Sequence, residues 1–350
     1  MSRFLLIDIG AGTMDILYYD DRSDLYYKAV VKSPVRYLSE KVSKIRGNLL
    51  VTGDEMGGGP ISTVLKQRAQ TDEVIMSVAA AATIHHNQKI VESYRIKIVQ
   101  DSEAEALQES QNYTHVVLAD LDIKRIRDIV KGFGVNFAFD TVGICAQDHG
   151  MAPDNVSHLD FRHEIFRQVL DKKPFAHALL YQKNKIPERL NRLNSIAKSA
   201  ERLPGNEIYV MDSGMAAIVG ACTDIQTKEK DNIVIMDLAT SHTLVASLKQ
   251  GELAGFFEYH THDITPELID SMIQKLCDGK LSHKQILKQG GHGAYIRKAF
   301  GFKSAEIILA TGPKRNLIKD SQLPIIFGSP LGDNMMTGTA GLLEAIRFQK

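Results

Sequence analysis

Two segments of this 350-residue chain repeat one plan: an apolar run, an aspartate, small residues, then a second alternating run. The first is Phe4–Tyr19, FLLIDIGAGTMDILYY, and the second is Ile233–Leu248, IVIMDLATSHTLVASL. An extended run, a tight turn and another extended run predict a β-hairpin, not the strand–turn–helix of a dinucleotide fingerprint. Aligned on the aspartates, Asp8 falls on Asp237, Gly10 on Ala239 and Gly12 on Ser241. The repetition predicts duplicated halves, each offering a hairpin to one ligand between them. Gly10 and Gly12 permit positive φ and close approach, so the N–H groups of Gly10, Ala11, Gly12 and Thr13 can converge on an anion. Asp8 would sit at the mouth of that turn, where a phosphate-bound Mg2+ needs a carboxylate, usually through water. On these residues alone, a phosphate clamp and an ordinary hairpin with a solvated aspartate both stay open.

The length allows two domains with well-buried cores. Formal net charge is zero and acidic and basic residues are interspersed, which argues against nucleic-acid or membrane partners reached through a basic patch. The N-terminal apolar run stops at Asp8, so no signal peptide is expected, and no apolar run is long enough to span a bilayer. Cys145, Cys222 and Cys277 lie far apart without a CxxC pair, as expected for a reduced, cytoplasmic protein.

Between the hairpins, apolar strands alternate with helical spacing, which predicts an α/β fold. Strands are expected at Leu25–Lys32, Asn48–Thr52, Val74–Ser77, Arg95–Val99, Thr114–Ala119, Asn136–Gly143 and Ile208–Met211. Helices are expected from Pro34 to about Ile45, and over Ile61–Ala69, Val78–His85, Ile123–Gly132 and Arg162–Leu170. Pro187 opens the clearest helix, whose Leu190, Leu193, Ile196, Ala197, Ala200 and Leu203 trace one stripe up to Pro204–Gly205. After the second hairpin come helices over Pro266–Leu276 and Ser282–Lys288, a strand Ile307–Gly312 and a helix Met335–Ile346. Gly57–Pro60 places three glycines before a helix start, an anion site or only a flexible loop.

These pieces, in this order, resemble the actin, heat-shock ATPase and sugar-kinase superfamily. DIGAGTMD resembles its first phosphate hairpin, DSGMAAIVGA (Asp212–Ala221) its first connecting helix and MDLATSHT its second phosphate hairpin. ATGPKRN (Ala310–Asn316) resembles the adenosine turn and MMTGTAGLL the second connecting helix. The resemblance implies a two-domain actin-like, ribonuclease H-like duplicated fold with a nucleotide cleft between domains. With the Pro204–Gly205 turn as the boundary, residues 1–204 are expected as an N-terminal half with an α/β segment inserted at about 47–135, and residues 205–350 as a C-terminal half whose final helix packs back toward the cleft. The resemblance implies ATP and Mg2+ as cofactors, with Asp8 and Asp237 at the metal. Gly10, Ala11, Gly12, Thr13, Thr240 and Ser241 would face phosphates, and Thr311, Gly312 and Lys314 the adenosine side. Ala239, Thr240, Ser241 and His242 stand where the superfamily usually keeps glycines, and Pro313 removes a backbone donor. Nucleotide binding is therefore expected ahead of rapid hydrolysis.

GGGPIS, AQDHGMAP, FFEYHT and GGHGAY, at Gly57, Ala146, Phe256 and Gly290, resemble a family labelled pyruvate formate-lyase activating enzyme. A glycyl-radical activase of the usual kind needs three closely spaced cysteines for an iron–sulfur cluster. The chain has no such triad, so no iron–sulfur cluster is expected.

Asp148 and His149 follow an apolar strand, a position favoured for site residues. Asp148 is the candidate general base for attack on a γ-phosphate; otherwise it caps its loop beside a packed His149. Glu258, His260 and His262 would share one face of an extended segment. With His149 and His292 they could form a second divalent-metal or acidic-substrate site, or remain neutral histidines hydrogen-bonded at a domain interface. The functions open are an ATP-dependent phosphotransferase or ATPase acting on a small molecule, a nucleotide-gated protein acting on a partner enzyme, and a scaffold that has lost nucleotide binding.

Overall fold

The computed structural model describes residues 2–350. Both hairpins form, and each belongs to a six-stranded sheet; five strands of each share one order, and the sixth lies on opposite edges of the two sheets. In the first sheet, Leu25–Lys32, Thr13–Asp20 and Arg3–Ile9 make an antiparallel meander. Thr141–Ala146 and Glu207–Asp212 then extend it in parallel, and the short Leu180–Gln182 closes the edge antiparallel. In the second sheet, Gly293–Ile296, Glu252–His260, His242–Lys249 and Asn232–Leu238 run antiparallel. Ile307–Thr311 and Ile325–Phe327 follow in parallel. This repeated order is the duplicated, ribonuclease H-like architecture of the actin-like fold. It sets Asp8 and Asp237 near the C-terminal end of the first strand of each meander, where open α/β sheets leave a crevice.

Helices cover both faces of each sheet, so the strands read as nearly unbroken apolar runs. One core joins the halves: Leu6, Met211 and Ile235 pack with Met215 and Ala216 of the first connecting helix and Leu342 and Ile346 of the last. A second core lies on the outer face of the first sheet, where the predicted Leu190–Leu203 stripe is buried. A third fills the C-terminal half. The inserted segment carries a separate parallel sheet of Ile96–Val99, Val74–Ser77, Leu49–Gly53 and Thr114–Leu118, with its own core.

The connecting helices Ser213–Ala221 and Thr337–Gln349 touch backbone to backbone. A Cβ on Gly341 would lie 1.7 Å from the Ala216 carbonyl oxygen, and one on Gly220 would lie 1.9 Å from that of Thr337. Glycine is required at both positions to let the helices approach this closely.

Several boundaries differ from expectation. Asn136–Asp140 is irregular, with Phe137 and Phe139 packed edge to face at 5.1 Å, and the strand starts only at Thr141. The alanine-rich helix stops at Ala81. Beyond it Thr83 turns inward, its hydroxyl accepting from Met56 N–H and its carbonyl accepting from the Ser62 hydroxyl. The helix after Pro187 begins at Asn191, because Leu190 N–H closes a turn on Pro187 O. Glu207–Asp212 belongs to the first sheet, so the chain changes sheets at Ser213–Ala221, beyond the Pro204–Gly205 turn where the sequence was divided. Among the described residues, no helix is long and apolar enough to cross a membrane.

Candidate functional site

The two turns close on the same internal bond. Gly10 N–H donates to Thr13 O at 3.0 Å, and Ala239 N–H donates to His242 O at 3.1 Å. Neither Gly10 nor Gly12 adopts positive φ, contrary to expectation. Ala239, Thr240 and Ser241 can therefore follow the same path in the second turn without strain. The glycine at position 12 serves proximity instead: a Cβ there would lie 2.7 Å from the Thr240 methyl carbon. The two turns meet tip to tip.

Behind the tips lies a cavity of about 370 Å3 lined from both halves. Asp8, Gly10, Ala11 and Thr13 face it from one side, and Asp237, Thr240 and Ser241 from the other. Gly57–Pro60 of the inserted segment also reaches it. On the floor, Asp8 sits against the last helix, where a Cβ on Gly338 would lie 2.0 Å from its carboxylate.

Three carboxylates converge here. Asp15, which the sequence reading did not single out, is the cross-strand partner of Asp8 and lines the same cavity. One of its oxygens is buried without a hydrogen-bond partner. Burial pushes Asp8 up to about 6, with the Cys145 thiol pulling the other way and Asp212 adding to the rise. Burial and then Asp8 push Asp237 up to about 7 and Asp15 up to about 8. Each carboxyl resists a charge that nothing beside it compensates. Hard oxygen donors in this state fit Mg2+, which takes few protein ligands and fills its shell with water and phosphate oxygens.

The adenosine-side residues separate. Gly312 lines the cavity at φ +89°, where a Cβ would strike the Leu238 carbonyl oxygen at 2.5 Å. Its carbonyl accepts from the Asn334 side chain at 3.0 Å, and Asn334 also faces the cavity. Thr311 is fully buried, with its hydroxyl 2.7 Å from that of Thr337. Lys314 is exposed and off the cavity wall.

Asp148 is not a free base. Its Oδ1 accepts from Gly150 N–H at 2.7 Å and its Oδ2 from Leu193 N–H at 2.9 Å, in the first turn of Asn191–Ala200. It caps that helix, away from the cavity wall. Asp148→Ala is therefore expected to cost about 1–2 kcal/mol in a denaturant melt, while ligand affinity in the cleft stays within a factor of two. His149 does face the cavity, with Nδ1 buried and unpartnered. Burial, then Arg162, holds it down to about 3.

Arg162, also missed in the sequence, is 2% exposed and forks between the halves. It donates to Asp212 at 2.8 Å and to Glu258 at 2.5 Å. Asp212 in turn caps the first connecting helix, accepting from Met215 N–H. Burial alone would raise the Glu258 carboxyl, yet Arg162 and the nearby histidines hold it at about 2.

The histidine set differs from the expected one. The strand ends at His260 and Thr261–Asp263 turns into a 3-10 helix, so the alternation stops before His262. The His262 side chain is 76% exposed and lies 3.3 Å from Asp263. His242 takes its place, standing opposite His260 in register. One nitrogen from each of His242, His260 and His292 falls within 4.8 Å of the others. Burial holds His242 down to about 4 and also lowers His292.

A family described as "Putative pyruvate format-lyase activating enzyme" (DUF1786) matches residues 56–317, three quarters of the chain. The chain belongs to this family. In this DUF1786 protein the thiols do not fit the cluster of a glycyl-radical activase. Cys145 is buried in the first sheet and Cys277 in the C-terminal core, while Cys222 follows the first connecting helix. Burial pushes Cys222 and Cys277 up to about 12, and among the described residues no cysteine joins a group of three metal-ligating atoms.

The DUF1786 chain is also similar to several solved structures. A protein of actin-like ATPase fold from Bacteroides thetaiotaomicron is 8% identical, with 97% of this chain and 95% of that chain covered and a TM-score of 0.36. The AlfA filament protein of a B. subtilis plasmid is 12% identical, with 98% of each chain covered and a TM-score of 0.40. A ROK family glucokinase from Streptomyces griseus, in complex with glucose and AMPPNP, is 9% identical, with 98% of each chain covered and a TM-score of 0.35. No curated protein matches the sequence.

Proposed function

We propose that this chain binds ATP with Mg2+ in the cleft between its halves and works as a nucleotide-gated protein with slow phosphoryl chemistry. The observation that carries this reading is the placement of Asp8 and Asp237, at equivalent ends of duplicated hairpins, on one cavity. The backbone amides of Ala11–Thr13 and of Thr240–Ser241 would be the phosphate contacts, because Gly10 N–H is taken by Thr13 O. Asp8 and Asp237, with Asp15 behind, are the residues that would hold Mg2+. Gly312 and Asn334 lie where the nucleoside end would rest. Bound Mg2+ supplies neutralisation of the phosphate charge and fixes its orientation.

Gating follows from the contact between Gly12 and Thr240. Phosphates entering between the turns part them, and the connecting helices, in contact at Gly220 and Gly341, are the pivot. Slow chemistry follows from the lack of a free proton acceptor apart from the carboxylates that would hold Mg2+. Asp148 is committed to two amides, and His149, held at about 3, costs about 5 kcal/mol to protonate at pH 7. His149 can orient a water or hydroxyl but is a poor proton acceptor.

A phosphotransferase acting on a small acceptor is the second reading, favoured by His149, His242 and Glu258 facing the same cavity. The free thiols, two of them buried, suit a reducing compartment, and we read the protein as cytoplasmic.

Calorimetry with ATP and Mg2+, followed by a phosphate-release assay, tests the reading. Micromolar, Mg2+-dependent binding with turnover below about 1 per second, beneath the usual enzyme range, is expected. No heat at millimolar nucleotide would favour a bare scaffold, and fast turnover with a metabolite would favour the phosphotransferase.

A further inference from the structure

His242, His260 and His292 come from three separate segments. His242 begins the strand that leaves the second hairpin turn, and His260 ends the strand paired with it. His292 is held alongside, its N–H donating to Glu258 O at 2.8 Å. The ring centroids are 4.3 Å apart for His260 and His292, 4.6 Å for His242 and His292, and 5.0 Å for His242 and His260. His260 Nε2 and His292 Nε2 face each other at 3.0 Å. One N–H···N hydrogen bond would account for that contact but not for the third ring, whose nitrogen lies within 4.8 Å of both.

Metal–nitrogen bonds of about 2.0–2.1 Å place two imidazole nitrogens about 3.4 Å apart in a tetrahedral shell. The observed spacings reach that figure through shifts of well under 2 Å. The next layer of contacts is also that of a metal site. His292 Nδ1 is buried without a hydrogen-bond partner, 3.8 Å from Glu258 Oε1. A carboxylate behind the distal ring nitrogen orients a ligating histidine and raises its basicity. Glu258 is itself fixed by Arg162 on one oxygen and by the Gln147 amide on the other, at 2.5 Å in each case. His242 and Glu258 line the cleft, and His149 stands across from the cluster with ring centroids 6.3–6.4 Å from His292 and His242.

We propose that His242, His260 and His292 bind one divalent transition-metal ion of the Zn2+, Co2+ or Fe2+ class, with its remaining position open to the cleft. Three imidazoles select against Mg2+ and Ca2+, which prefer oxygen ligands. Three neutral ligands leave the ion its double positive charge, so the open position takes an anionic oxygen, from a phosphate or carboxylate, or a water. This site is independent of the carboxylate pair, since it needs neither Asp8 nor Asp237.

The test uses untagged, chelator-stripped full-length protein without nucleotide, so its result stands apart from that for ATP. Co2+ is titrated while its visible d–d absorption is followed, and Zn2+ is then used to displace it. One ion per chain with four-coordinate Co2+ bands is expected. A loss of affinity of at least tenfold is expected in each of His242→Asn, His260→Asn and His292→Asn, with none in His262→Asn. Binding of less than a tenth of an equivalent would overturn the proposal, as would unchanged affinity in the three variants. Should those variants not fold, nitrogen-15 spectra of the wild-type histidines serve instead. Zn2+ is expected to shift these three rings together, and shifts confined to other histidines would overturn the site.

Discussion

Arg162→Met should destabilise the protein by about 3–5 kcal/mol, the cost of removing one partner from a buried charge network. Arg162 is 2% exposed and holds Asp212 of the first half and Glu258 of the second, so its loss leaves two buried carboxylates facing each other. Adding Asp212→Asn and Glu258→Gln to Arg162→Met should restore part of the loss, because the uncompensated charges disappear. The acid limb of the stability curve gives a second readout. Glu258 is held at about 2 in the fold, below its ordinary value of 4.5. Its contribution is therefore complete above pH 4.5 and lost as pH falls toward 2. Arg162→Met should flatten that limb. Denaturant melts between pH 2 and 7 decide it, and a loss below 1 kcal/mol with the acid limb intact would mean that Arg162 does not tie the halves together.

Asp237→Asn is expected to act in opposite directions on the free and bound protein. The folded state raises this carboxyl from 3.8 to about 7, first through burial and then through Asp8. The fold thus binds more protons than the unfolded chain between those values, and stability falls as pH rises from about 4 to 7. At pH 8 the full penalty is present, on the order of 4 kcal/mol as an upper bound. The substituted amide carries no charge and should recover about half, raising the melting temperature at pH 8 but hardly at pH 4. The same change removes a ligand for Mg2+, so affinity for Mg2+–ATP should fall about 100-fold, or 2.7 kcal/mol. Scanning calorimetry at both pH values and titration calorimetry check the two halves. An unchanged melting temperature at pH 8 together with unchanged affinity would contradict the role given to Asp237.

The hairpins were legible because their signal is local: alternating runs on either side of a two-residue turn. Their register carried more than was read from it. Counting outward from the first turn pairs Asp8 with Asp15, and the next hairpin sets His242 opposite His260. The error at His262 came from extending the alternation past the strand end. Arg162 offered no such signal, since its partners lie 50 and 96 residues away. Asp148 had the expected strand-end position, but the Leu193 amide, 45 residues on, decides what its carboxylate does. The division at Pro204–Gly205 followed local turn chemistry, whereas the sheet order is set by the pairing of Glu207–Asp212 with Thr141–Ala146.

Amide hydrogen exchange with and without Mg2+ and a non-hydrolysable ATP analogue tests the central claim most directly. Slowed exchange at both turns, residues 8–13 and 237–242, in one titration and only with Mg2+ present, is the expected result. Protection of a single turn, or of neither at saturating nucleotide, would contradict a triphosphate shared between them.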